Sequence, residues 1–204
     1  MSVPVTAASA EATIEPAAGV AVTLTSATLT LSDLRLETPA TARWTPRVPG
    51  VSAALAHPGH DFAGSVAGEL TGTWTLDLLA DSTRLGDASC YEGDYATARL
   101  TLLPDPAAAF TGTVSVAGVD RAFRLDLTPD QAITGILFEA TLSAEAPPAG
   151  LTLSFDLAHA LSFVDWSTPD ADGDGVLTTA DGPVANTALF GLVATPTYTL
   201  YLEQ

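Results

Sequence analysis

The chain has 204 residues, and 24 aspartates and glutamates stand against seven basic residues, all arginine, for a formal charge of −17 and a pI near 4.1. A surface this negative repels phosphate backbones and anionic bilayers, which argues against nucleic-acid binding and electrostatic membrane attachment and in favour of cation capture. With 47% apolar and only 15% charged residues, the composition is that of one domain with a full core, not of a disordered acidic tail.

Residues 2–19 read as a Pro/Ala/Thr/Glu tether, and residues 20–204 as a single domain. Met1-Ser2-Val3-Pro4 shows neither a basic nor an apolar signal region. Two origins fit that start: a cytoplasmic chain, or a mature exported chain that has lost a signal or lipid-anchor segment. The calcium-type loop described below favours the second, and with it the periplasm or cell surface. Beyond the tether, Val20, Val22 and Leu24 alternate with polar residues. The apolar phase then flips to Leu29 and Leu31, which predicts a bulge near Ser26.

Residues 38–68 form a long Pro/Gly-rich loop, of a length that is usually functional. It contains His57-Pro58-Gly59-His60-Asp61. Two imidazoles three residues apart across a Pro-Gly turn can face one ion, and such ligands suit copper or zinc. His159 completes the set if the fold brings it near; otherwise the loop is a solvated polar surface. Trp44, in the same loop, is a candidate ligand platform.

Further along, Trp74, Leu76 and Leu78 alternate with Thr75 and Asp77; Leu100 and Leu102 with Thr101; Phe123, Leu125 and Leu127 with Arg124 and Asp126; and Leu151, Leu153, Phe155 and Leu157 with Thr152, Ser154 and Asp156. Residues 104–112 read as a Pro/Ala linker, and Tyr198, Leu200 and Leu202 close the chain. Period-two alternation broken by Gly, Pro and Asp predicts about nine half-buried strands in an all-β, antiparallel β-sandwich. Helix is expected only around Ala158–Val164 and Ala185–Phe190, within and beside a calcium-loop insertion spanning 165–190. The longest apolar runs, Ile133–Phe138 and Ala188–Ala194, are too short for a transmembrane segment. Cys90, the lone cysteine, excludes an internal disulfide and reads as a small core residue.

The strongest motif is Asp170-Ala171-Asp172-Gly173-Asp174-Gly175-Val176-Leu177-Thr178-Thr179-Ala180-Asp181. It matches the twelve-position calcium loop of EF-hands and dockerins. Asp170, Asp172 and Asp174 stand at positions 1, 3 and 5, glycine at 6, the Val176 carbonyl at 7, Thr178 at the water-holding position 9, and Asp181 at 12. Leu177 is expected to pack beneath the loop, with Trp166 beside it. Calcium is therefore the expected cofactor, in a structural role, since a single loop without long flanking helices lacks the parts of a sensor.

No Gly-x-Ser-x-Gly, phosphate-cradling glycine loop or His-Glu-x-x-His is present, so the chain is expected not to be an enzyme. A periplasmic copper or zinc carrier or sensor, and a carbohydrate-binding or carbohydrate-active module, are the alternatives to a non-catalytic calcium protein.

Leu76-Asp77-Leu78-Leu79, Leu85-Gly86-Asp87 and Gly93-Asp94-Tyr95 opening Arg99-Leu100-Thr101-Leu102 resemble a group of bacterial secreted or lipid-anchored β-sandwich proteins. These are similar in layout to the periplasmic partner proteins of methanobactin-associated di-haem enzymes, some of which bind copper. The resemblance covers roughly residues 20–103, with Val20–Glu37 as an upstream strand pair. It implies an extracytoplasmic β-sandwich, an upstream lipid anchor and an unidentified protein partner. The tryptophan-rich copper signature of those partners is absent, so no copper-ligand set carries over.

Overall fold

The computed structural model describes residues 1–39, 66–105 and 108–203. Twelve strands run through them: β1 (Ser2–Ala7), β2 (Thr13–Ala17), β3 (Val20–Glu37), β4 (Val66–Asp77), β5 (Thr83–Cys90), β6 (Gly93–Leu102), β7 (Ala108–Val116), β8 (Val119–Leu127), β9 (Gln131–Leu142), β10 (Gly150–Phe155), β11 (Val176–Thr178) and β12 (Tyr198–Glu203). Two helices, α1 (Leu157–Leu161) and α2 (Val184–Val193), and a short 3-10 turn at Thr195–Thr197 occupy the C-terminal third. The architecture is all-β, as the alternation predicts, and takes the form of one curled sheet.

The sheet is organised around β3, an unbroken strand of 18 residues where a strand pair was expected. Its first half lies between β2 and β7, its second half between β4 and β6. From the second half the sheet runs through β4, β5, β1 and β10 to β12, and on the other side through β6 to β9; β12 then packs against β9. From the first half it runs through β7 and β8 to β11.

Two bulges make this sharing work. Pairing with β7 slips between Leu24 and Ser26, and pairing with β6 slips between Ser32 and Arg35. Each extra residue turns the alternation over, because side chains change face every residue. The core positions therefore run Val22 and Leu24, then Ala27, Leu29 and Leu31, then Leu34 and Leu36. The first flip is the one read near Ser26. The second is made by Asp33, which has no partner in the β3–β6 register and a left-handed φ of 50°.

The N-terminal tether reading is corrected. Residues 2–7 are β1, held between β5 (antiparallel) and β10 (parallel), with Val3 and Val5 completely buried. Residues 13–17 are β2, paired to β3 across a two-residue turn. Val3 and Val5 alternate with Ser2, Pro4 and Thr6, a strand pattern that the Pro and Ala content obscures, and Pro4 is tolerated because it lies before the pairing with β10 begins at Val5, where β1 has a neighbour on one side only. Strand β7 also takes up residues 108–112 of the expected Pro/Ala linker, and Val66 to Gly68 of the expected long loop belong to β4.

Close backbone approach fixes two glycines. A Cβ on Gly112 would lie 2.1 Å from the Thr23 carbonyl oxygen at the first bulge, and one on Gly191 would lie 1.9 Å from the Ala160 carbonyl oxygen where α2 meets α1. Helix α1 starts at Asp156, whose carboxylate accepts the His159 N–H at 2.8 Å, an N-cap bond. Among the described residues no helix is long and apolar enough to cross a membrane.

Candidate metal centre

The aspartate loop leaves the helical segment after Trp166 and returns to the sheet at β11. Its return is anchored by Leu177, which is completely buried, and by parallel pairing of Val176–Thr178 with Ala122–Arg124 of β8. Trp166 packs edge-on to Phe123 of β8, ring centroids 5.0 Å apart, and its Nε1–H donates to the Leu161 carbonyl at 3.2 Å. The apolar residue at position 8 and the tryptophan thus sit under the loop, as the sequence suggests. Arg121 of β8 donates from Nη1 to the Thr168 carbonyl at 2.6 Å, holding the loop's entry.

Within the loop, carboxylates bind the backbone that surrounds them. Asp170 accepts from the N–H groups of Gly173 (2.8 Å) and Gly175 (2.6 Å), one to each oxygen. Asp172 accepts from the Asp174 N–H at 3.2 Å, and Asp174 from the Val176 N–H at 2.8 Å. Gly173 and Gly175 have φ of 77° and 85°, in the left-handed region that favours glycine, and Gly175 makes the sharp turn that the motif assigns to position 6. As a result, oxygens of Asp170, Asp172 and Asp174 all lie within 4.8 Å of one another, with Asp172 and Asp174 exposed and Asp170 half-buried.

The proton balance follows from this geometry. The Gly175 N–H, with help from the Gly173 N–H, the Asp172 carboxyl and Arg121, holds Asp170 below its ordinary value. On Asp172 the Asp174 N–H acts in the same direction but is outweighed by the hydrogen bond with Asp170, by burial and by the charges of Asp174 and Asp170, so that carboxyl is held above its ordinary value. The two carboxyls titrate as a coupled pair, pushed in opposite directions by the hydrogen bond between them.

Asp181, at position 12, lies outside the group of three. One oxygen accepts the Ala171 N–H at 2.8 Å; the other accepts the Thr178 N–H at 2.7 Å and hydroxyl at 3.0 Å. The Ala171 and Thr178 N–H bonds, in that order, hold this buried carboxyl below its usual range. Asp181 therefore ties the two ends of the loop together through the backbone. This clamp was legible in Thr178-Thr179-Ala180-Asp181, the spacing of a capping box, in which the acidic residue reaches back to the first residue's N–H. Arg121 left no such signal, because only the fold brings β8 to the loop.

His57, His60 and Trp44 lie outside the described residues. His159 sits on α1, half-buried, with its ring edge-on to Phe163 at 5.3 Å, and does not belong to the group of three carboxylates. Cys90 is buried in the core. Comparison with family models, curated proteins and solved structures returns no match for this chain.

Proposed function

We propose that residues 170–181 bind one calcium ion, and that the ion acts structurally in a non-catalytic, extracytoplasmic protein. The observation that carries the reading is the convergence of three carboxylates within 4.8 Å on a loop whose backbone is already turned. Like charges this close repel each other, and a divalent cation replaces the repulsion with shared coordination. Each carboxylate is oriented by a backbone N–H and retains lone pairs for an ion. Asp170, Asp172, Asp174 and the Val176 carbonyl supply oxygens, Asp181 closes the loop, and water completes the shell. Calcium suits such a pliable oxygen set better than magnesium, which demands near-octahedral geometry. A single loop with the shorter Asp at position 12 belongs with the weak extracellular class, with Kd of about 10⁻⁴–10⁻³ M.

The role follows from what the loop joins: the segment after α1 at one end and α2 at the other, with β11 on the sheet edge between them. An ion bound only to the folded state stabilises it by mass action, by about 2.7 kcal/mol at a hundredfold excess over Kd. Melting is to be measured in EGTA and in excess calcium, alongside calorimetric titration with calcium and magnesium. The expected result is a higher Tm in calcium, a smaller effect of magnesium, and loss of both in Asp174→Ala. An identical Tm in EGTA and in excess calcium would overturn the proposal.

A further inference from the structure

We propose that the cleft on the outer face of β3 and β6, lined by Asp33, Arg35, Arg99, Thr101 and Ala132, binds a small zwitterionic carboxylate of the free amino-acid class. The cleft has a volume of about 150 Å³, and three independent features mark it.

The first is an unmet donor. The Nε of Arg35 is buried and has no hydrogen-bond partner among the described residues. A buried guanidinium donor left without an acceptor is costly, and native proteins retain few of them. The second is a pairing of like charges. Arg35 and Arg99 are direct cross-strand partners in the β3–β6 ladder, an arrangement that is destabilising unless negative charge lies nearby. Glu37 supplies some of it, 3.4 Å from the Arg99 Nε, and also accepts the Thr97 hydroxyl at 3.1 Å. Among the described residues no such ion pair serves Arg35. With only seven arginines in the chain, two on one cleft is a concentration of positive charge that the −17 surface does not otherwise favour.

The third is backbone strain. Asp33 holds a left-handed φ of 50° at the bulge beside the cleft. Aspartate tolerates that region better than most residues, yet it remains unfavourable there, and bulges of this kind re-aim side chains next to sites. The bulge puts Asp33 on the cleft lining together with Arg35.

These features define the ligand. The guanidinium fork at Arg35 matches a carboxylate, whose geometry it can meet with two parallel hydrogen bonds. A polyanion is disfavoured by Asp33 and by the field of the whole molecule. A carboxylate carrying its own ammonium satisfies Arg35 and Asp33 together, with the Thr101 hydroxyl as a further polar group. The volume corresponds to about five water molecules, which is room for a two- or three-carbon amino acid.

The test is NMR titration of the intact chain with glycine, acetate and inorganic phosphate, following the arginine Nε–H resonances. Glycine is expected to shift the Arg35 signal with a Kd of about 10 mM or tighter, with acetate about tenfold weaker and phosphate weaker still. Arg35→Lys, which keeps the charge and loses the Nε–H, is expected to weaken glycine at least about tenfold, read from the Arg99 signal. Asp33→Asn is expected to bring glycine and acetate to similar affinity. Backbone spectra of both variants report whether the fold is intact. Absence of any Arg35 shift with glycine up to about 10 mM would overturn the site. Glycine binding that Arg35→Lys leaves unchanged would overturn the role of the guanidinium, and equal binding of glycine and acetate by the parent chain would overturn that of Asp33.

Discussion

Tyr95 does more structural work than its single hydroxyl suggests. It is buried, and its O–H is shared between the carbonyls of Ala67 and Tyr91, each at 2.8 Å. The Ala67 carbonyl also accepts the Tyr91 N–H at 2.9 Å. The arrangement pins the turn before β6 to the start of β4, in the manner of the tyrosine corner of Greek-key proteins. Burial, then the neighbouring Cys90, pushes the phenol up to about 12, against the effect of the Tyr91 hydrogen bond. A phenol pKa raised on folding contributes stability that is complete below the unfolded value near 10 and is lost as pH rises through the folded value. Tyr95→Phe is therefore expected to cost about 1–2 kcal/mol at neutral pH and to flatten the loss of stability between about pH 10 and 12. Denaturant melts across that pH range check both effects. Asp181 works in the opposite sense. Its carboxyl is held low, so its contribution is present above the usual carboxylate value and is lost as pH falls through the folded-state value. Because its partners are backbone N–H groups, Asp181→Ala is expected to lower Tm in EGTA as well as in calcium, whereas Asp174→Ala is expected to matter chiefly in calcium. Thermal melts of the two variants in both buffers separate clamp from ligand.

At the scale of elements, the β7–β8 hairpin carries a correctable defect. Val116 pairs with Val119 across Ala117 and Gly118, which have φ of 51° and 81°. Both central residues of a type I′ turn need positive φ, which suits Gly118 and strains Ala117. Ala117→Asn is expected to raise stability by about 0.5–1 kcal/mol, measured by chemical denaturation, without altering the strands. The same strand shows the opposite case at Gly112. There the Thr23 carbonyl occupies the space a methyl group would need, and this contact is backbone, which cannot rotate away. Gly112→Ala is expected to force β3 and β7 apart and to cost more than about 3 kcal/mol, seen as a large fall in Tm or as loss of soluble protein.

For the whole molecule, the decisive strand is β1. It is the bridge between β5 and β10, so the hydrogen-bonded path from β10 and β12 to β3 runs through six residues. Val5 is completely buried at the middle of that bridge, at the point where the β1–β5 register shifts. Val5→Asp places an unpaired carboxylate in the core and is expected to abolish cooperative unfolding, not merely to lower its midpoint. Val5→Ile is expected to be tolerated to within about 1–2 kcal/mol. Circular dichroism melts of the two variants distinguish a bridging strand from a dispensable N-terminal arm.

The sequence by itself determined the all-β class, the helical segments near residues 157–190, the turned aspartate loop with Leu177 beneath it, and the first bulge in β3. All of these are local: they depend on alternation, glycine placement and short spacings that a strand, helix or loop reads from its own residues. The second bulge was present in the same pattern, since Leu34 and Leu36 change parity after Leu31, but the signal is one residue wide. Strand β1 was hidden because its proline and alanine resemble a linker, and only its neighbours β5 and β10 make burial of Val3 and Val5 favourable. Tertiary structure alone decided that β3 would serve both halves of the sheet, that Arg121 would hold the aspartate loop's entry, and that Arg35 and Arg99 would face each other across two strands separated by about sixty residues of chain. Cross-strand neighbours are set by register between distant segments, and register is fixed by the burial of one whole face against another, a property that no single segment carries.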